Sequence, residues 1–140
     1  MKPWVTYAIV SMIFAGLTSV IAKIGLSGIS GELGLAIRTL FVFVFVLVFA
    51  VVVIPHDQLS GLTRHNYIWL GLSALTTSLS WIFYYKALKE GDVSTIALID
   101  KGSMVVAVLL AYFILKEQIT GKTLLGGSLM IAGLLIIARK

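Results

Sequence analysis

Residues 33–54 read LGLAIRTLFVFVFVLVFAVVVI, an apolar run interrupted by one charge, Arg38. A helix needs roughly 20 apolar residues to cross a hydrocarbon core about 30 Å thick, and this run supplies them. Its centre, FVFVFV at 41–46, is rich in the β-branched and aromatic residues that favour strands. A membrane barrel strand alternates apolar with polar, however, whereas every position here is apolar, so the run reads as a lipid-facing helix. Working outward, stretches of similar character occupy 4–26, 67–88, 93–115 and 121–138, the last being the shortest. Between them lie the breakers SGISG (27–31), PHD (55–57), KEGD (89–92) and KEQIT (116–120). The expected fold is all-α: a polytopic transmembrane bundle of five helices forming a single domain over 1–140.

Composition points the same way. The chain is 59% hydrophobic and 12% charged, with a mean hydropathy of +1.06, and a water-soluble domain of this size could not cover so much apolar surface. The lipid bilayer is therefore its expected solvent and the plasma or inner membrane its expected location, as a multi-pass protein. The net charge of +5 comes from Lys and Arg scattered at the ends of apolar stretches. They form no basic stripe with interleaved aromatics, so nucleic acid is not an expected partner. Without cysteine there is neither a disulfide nor a thiolate metal site. His56 and His65 match no compact ligand spacing, and no phosphate loop or nucleophile motif is present. Neither an enzyme nor a cofactor is expected. The start, from Met1-Lys2 to Val20-Ile21-Ala22, has some features of a signal peptide, but the run is long for a signal core and reads better as an uncleaved first membrane helix.

Short linkers force successive helices to run antiparallel. Trp4, Tyr7, Tyr67, Trp69 and Tyr112 then fall toward the N-terminal side of the membrane, as an interfacial aromatic belt would. Five crossings put the termini on opposite sides, so loop charge must choose the orientation. One side carries Lys2, Arg64, Lys116 and Lys122; the other carries Lys89, Arg139 and Lys140, joined by Lys23, Arg38 and Lys86 if residues inside spans are counted. That balance is close to even under the positive-inside rule. Either insertion is decided by a small margin, or both orientations are made and assemble as an antiparallel homodimer. Such a dimer would supply the inverted repeats on which many transporters are built.

Charged side chains inside spans are expensive and mark the first place to look for function. Lys23, Arg38, Lys86, Asp100 and Lys101 all fall in one half of the bilayer. Lys23 and Lys86 lie close enough to an interface to snorkel. Arg38 is deeper, suited to pairing with Asp100 or a carbonyl, or to a site. Asp100 and Lys101 lie deepest, roughly 10–12 Å along their helix. As neighbours they point about 100° apart, so each is expected to find its own partner. Asp100 shares a face with Ser103, Ala107 and Ala111; Lys101 lies nearer Met104, Val105 and Val108. In the third span, Ser73, Thr77, Ser80, Trp81, Tyr84 and Tyr85 offer hydroxyl and aromatic groups for a pocket, or for an interfacial belt. Ser11, Ala15 and Ser19 in the first span, and Gly126, Gly127, Ser128, Ala132 and Gly133 in the last, suit close helix packing. The candidate substrate or coupling residues are thus Asp100, Lys101, Arg38, Ser103, Trp81, Tyr84, Tyr85 and Lys23.

The stretches YKALKEGDVS (85–94), LLAYFILKEQIT (109–120) and GGSLMIAG (126–133) resemble the EamA domain of the drug/metabolite transporter superfamily. The resemblance covers the whole chain and is strongest in its C-terminal half. Members commonly carry two such domains in ten helices, so the resemblance implies half a transporter, completed by a second copy. Where the family often has a proline early in the fourth helix, this chain reads Ile99-Asp100-Lys101-Gly102-Ser103-Met104, so a proline kink is not carried over and Gly102 is the weaker candidate for a bend. The expected function is transport of a small metabolite. Four in-span cations against Asp100 favour an anionic or zwitterionic solute such as an amino acid, with Asp100 as a candidate proton carrier. Two other readings are cationic drug efflux, as in the small multidrug resistance proteins, and a non-transporting helper subunit. The former use an acidic residue in the first helix, and none is present here.

Overall fold

In the computed structural model, which describes residues 3–138, the chain is helical and without strands among the described residues. The helices are α1 (Pro3–Gly25), α2 (Gly31–Val53), α3 (Arg64–Glu90), α4 (Val93–Asp100), α5 (Ser103–Leu115) and α6 (Gly121–Ala138), with a short 3-10 helix at His56–Gly61. Lys2, Arg139 and Lys140, which enter the charge balance, lie outside the described residues, as does the His56 side chain. Since α4 and α5 are one interrupted segment, the five-helix bundle read from the sequence is present, with α3 longer at both ends than 67–88.

Local chemistry sets where these helices begin. Ser30, Thr63 and Thr120 precede α2, α3 and α6, and each hydroxyl accepts a hydrogen bond from the backbone N–H three residues on: Leu33 at 3.2 Å, Asn66 at 3.4 Å and Thr123 at 3.2 Å. Asn66 returns the favour, its Oδ1 accepting the Thr63 N–H at 3.0 Å, a reciprocal cap of the α3 start. At the end of α5, Lys116 adopts a left-handed conformation (φ 58°) and the Glu117 N–H reaches back to the Ala111 carbonyl at 3.2 Å, closing the helix as glycine usually does.

Three segments, Pro3–Gly25, Gly31–Val53 and Val93–Leu115, are long and apolar enough to cross a membrane, and Gly121–Ile137 is a shorter apolar helix. α3 has the length, with 27 residues, but its run of Ser and Thr dilutes its apolar character. Those hydroxyls are partly satisfied within the helix: Thr76 and Thr77 both donate to the Ser73 carbonyl at 2.9 Å, and Ser78 to the Ala74 carbonyl at 2.8 Å. A hydroxyl bonded to its own helix is far less costly in lipid than a free one.

The described chain forms two compact units, Met1–Val20 with Gly91–Lys140, and Ile21–Glu90. In the second, α2 and α3 pack antiparallel, the start of α2 against the end of α3. A Cβ on Gly31 would stand 2.8 Å from the Tyr85 carbonyl oxygen and 3.3 Å from the Lys86 nitrogen, so the two backbones touch where only glycine fits. Leu26, Tyr85 and Leu88 are buried around this crossing. Two lysines tie the helix ends together. Lys23 Nζ donates to the Leu88 carbonyl and, at 3.4 Å, to that of Lys89, while Lys89 Nζ donates to the Leu26 carbonyl at 3.1 Å. Each ammonium thus answers carbonyls at the end of the other helix, where the helix dipole is negative.

In the first unit, α4 gives way to α5 at Lys101-Gly102. The Gly102, Met104 and Val105 N–H groups bond to the carbonyls of Ile99 (2.9 Å), Lys101 (3.1 Å) and Gly102 (3.0 Å), so the turn tightens to an i to i−3 pattern. No proline is required. A Cβ on Gly102 would lie 3.0 Å from Leu134 Cδ1, so α6 packs directly on the junction.

Two outcomes test this framework, both read as unfolding stability in detergent micelles. Gly31→Ala is expected to lose about 1–3 kcal/mol by overpacking, whereas Gly71→Ala, with nothing within 4 Å of the new Cβ, is expected to be neutral or slightly stabilising. Lys23→Met is expected to cost about 1 kcal/mol through the lost end cap, clearly more than Lys86→Met, whose ion pair is exposed. Equal effects of the two lysine variants would show that Lys23 only snorkels.

Candidate functional site

The antiparallel register fixed at Gly31 determines which side chains meet along α2 and α3. One residue further on, Glu32 Oε1 pairs with Lys86 Nζ at 3.4 Å; both side chains are more than half exposed, so the pair contributes little stability. Arg38 lies seven positions beyond Gly31, about 10.5 Å along the helix at 1.5 Å per residue. There its guanidinium carbon stands 4.4 Å from the centre of the Trp81 ring and 5.9 Å from that of Tyr85. A cation over an indole face in a poorly solvated setting gains on the order of 2 kcal/mol. Tyr84 extends the aromatic surface, meeting the Tyr85 ring edge-on at a centroid separation of 6.4 Å. Tyr85 is 4% exposed, so its ring backs the cluster, while Trp81 and Tyr84 remain half-exposed beside Arg38.

The electrostatics of Arg38 differ from those of the other in-span cations. Its Nη1 is buried and has no hydrogen-bond partner among the described residues, nor does any described carboxylate form an ion pair with it. An unmatched buried donor costs about 1–3 kcal/mol, more when charged. The Trp81 face offsets part of that cost but offers no in-plane acceptor.

Of the residues read from the sequence as candidates, the structure brings Arg38, Trp81, Tyr84 and Tyr85 into one cluster. Lys23 belongs to the capped helix ends described above. Asp100, Lys101 and Ser103 fall in the other unit, at the α4–α5 junction. There the expectation of separate partners for Asp100 and Lys101 fails: Lys101 Nζ lies 3.6 Å from Asp100 Oδ2. Adjacent residues diverge by about 100° on a regular helix, but α4 ends at Asp100, and the tightened turn lets the long lysine stem fold back. Ser103 opens α5 and is exposed. Met104, Val105 and Val108, the face assigned to Lys101, instead line an apolar groove of about 400 Å³ against α6, with Thr123, Gly127 and Ile131 opposite. In α3, the Thr77 hydroxyl is held by its own helix rather than presented to a pocket.

Sequence reasoning missed Glu32 as the partner of Lys86, and Lys89 as a cap. The signal for Glu32 was its place as the acid of the α2 first turn, opposite a lysine-rich end of α3. Reading it required the register. Among the described residues there is no group of three or more His, Asp or Glu placed to hold a metal ion.

Comparison with known proteins places this arrangement. The model of the EamA-like transporter family matches residues 2–139. An uncharacterized transporter in the cobO 3' region of a Sinorhizobium species is 31% identical over 137 residues, covering 98% of this chain and 97% of that protein. No solved structure matches the chain. With an all-helical fold carrying three long apolar spans and a family match over nearly its whole length, the chain is a multi-pass membrane transporter rather than an enzyme, and it belongs to the EamA-like transporter family of the drug/metabolite transporter superfamily.

Proposed function

We propose that this protein carries a small anionic or zwitterionic metabolite, such as an amino acid, across the membrane by alternating access, and that two copies in opposite orientation together form the transporter. The observation that carries the solute class is Arg38, a cation within an apolar helix that no described carboxylate neutralises. A neutral or cationic solute would gain nothing from such a group, and α1 contains no acidic residue to attract a cation.

Two further observations support the dimer. Ser19, Leu26, Gly31, Tyr85 and Leu88 are the buried residues of the described chain, so most apolar side chains and the half-exposed charges face outward and await lipid or a partner. This chain covers 97% of the Sinorhizobium relative's length, so a single five-helix repeat accounts for nearly all of that relative. Inverted repeats place a site at their shared interface near the midplane, commonly beside discontinuous helices. The α4–α5 junction is such a discontinuity, and the Asp100–Lys101 pair gives it a charge couple able to exchange partners as the two copies rock. Ser103 stands next to it as a hydroxyl donor. Lys23 and Lys86 add positive potential at one end of the spans.

Purified protein in liposomes is expected to catalyse uptake of small carboxylates or amino acids without another subunit. Absence of flux across panels of amino acids, organic anions and organic cations would overturn transport and favour a helper subunit; flux of cations alone would overturn the solute class. The native chain lacks cysteine, so Ser27→Cys and Gln118→Cys each provide one exposed label site. In intact cells, each is expected to react partly with impermeant maleimide from outside, with the remainder reacting after permeabilisation. All-or-none labelling at both sites would rule out opposed copies.

A further inference from the structure

We infer that Arg38 is the anchor for the solute's carboxylate and that Trp81 and Tyr84 form the wall against which its apolar body lies; this rests on the transport reading above. Three features of the cluster point to this ligand chemistry. The Arg38 guanidinium carbon lies over the Trp81 ring, 4.4 Å from its centre, so this planar group is held against the indole. Its N–H donors radiate within that plane as a fork matched to a planar carboxylate, and Nη1 has no acceptor among the described residues. Arg38, Trp81 and Tyr84 are each half-exposed, whereas Tyr85 behind them is 4% exposed. The cluster therefore combines a cation whose shielded Nη1 has no acceptor with two partly open aromatic surfaces.

The other charges do not share this character. Lys86 is paired with Glu32, Lys101 with Asp100, and Lys23 and Lys89 are directed at main-chain carbonyls. An anionic lipid headgroup has related oxyanion chemistry. Arg38, however, sits about 10.5 Å into α2 at 1.5 Å per residue, deeper than a headgroup phosphate would lie.

The test measures binding by calorimetry, using full-length protein in neutral phosphatidylcholine nanodiscs. Phenylacetate, phenylacetamide and phenethylamine serve as probes that share one apolar body and differ in charge. The wild type is expected to prefer phenylacetate over phenylacetamide by about tenfold or more, as a charge-assisted pair implies. Arg38→Gln should erase that preference while still binding phenylacetamide like the wild type, which also shows that the variant is folded. Arg38→Lys should keep part of the preference, and Trp81→Leu should weaken both probes together. An undiminished preference in Arg38→Gln, no binding of any probe by the wild type, or tighter binding of phenethylamine would each overturn the assignment. So would competition of phosphatidylglycerol with phenylacetate that disappears in Arg38→Gln without any charge preference among the probes, since Arg38 would then be a lipid contact. Intact binding preference without flux in liposomes would reject the transport reading while leaving the carboxylate site standing.

Discussion

The arrangement of the Ile21–Glu90 unit depends on one steric fact: at Gly31 the backbone of α2 meets the backbone of α3 at Tyr85, with no room for a side chain. Helices in lipid gain no hydrophobic drive toward one another, so close backbone approach and interhelical polar contacts hold them together. Gly31 provides the first and thereby sets the register of the second. From that point Glu32 reaches Lys86, and Arg38 arrives over Trp81. A shift of one residue along either helix would take Arg38 out of register with Trp81.

The charges within or beside the spans find three kinds of partner. Lysines at the ends of α1 and α3 go to main-chain carbonyls, where the peptide dipoles already favour a cation. Lys86 and Lys101 find carboxylates, one across the helix pair and one on the preceding residue. Arg38 finds a ring face. A π surface can lower the energy of a cation without satisfying its N–H donors, so this third partner leaves hydrogen-bonding capacity in place. That distinction separates an architectural charge from one suited to recognition.

Much of this was legible in the sequence because the controlling signals are local. The run at 33–54 announces its helix by hydropathy alone, and the depth of Arg38 within it marks the residue for attention before any neighbour is known. The aromatic residues of the third span were likewise recognisable from spacing. What was not legible depends on register or on departures from regular geometry. Glu32 drew no attention in the sequence, because its place opposite Lys86 depends on the register set at Gly31. Asp100 and Lys101 were assigned diverging directions on a continuous helix, and the helix is not continuous there. The interruption itself had only Gly102 as a sequence signal, and the packing of Leu134 against it comes from more than thirty residues away.

The crossed lysine caps carry an implication for how such a chain can evolve. Their acceptors are peptide oxygens at Leu88, Lys89 and Leu26, which every amino acid presents equally. Substitution at an acceptor position therefore leaves its oxygen in place, and the tie is exposed to mutation mainly at its donors. The helix ends around it can diversify freely in side-chain identity. A lineage could thus remodel this rim for different lipids or partners while keeping the same mechanical joint.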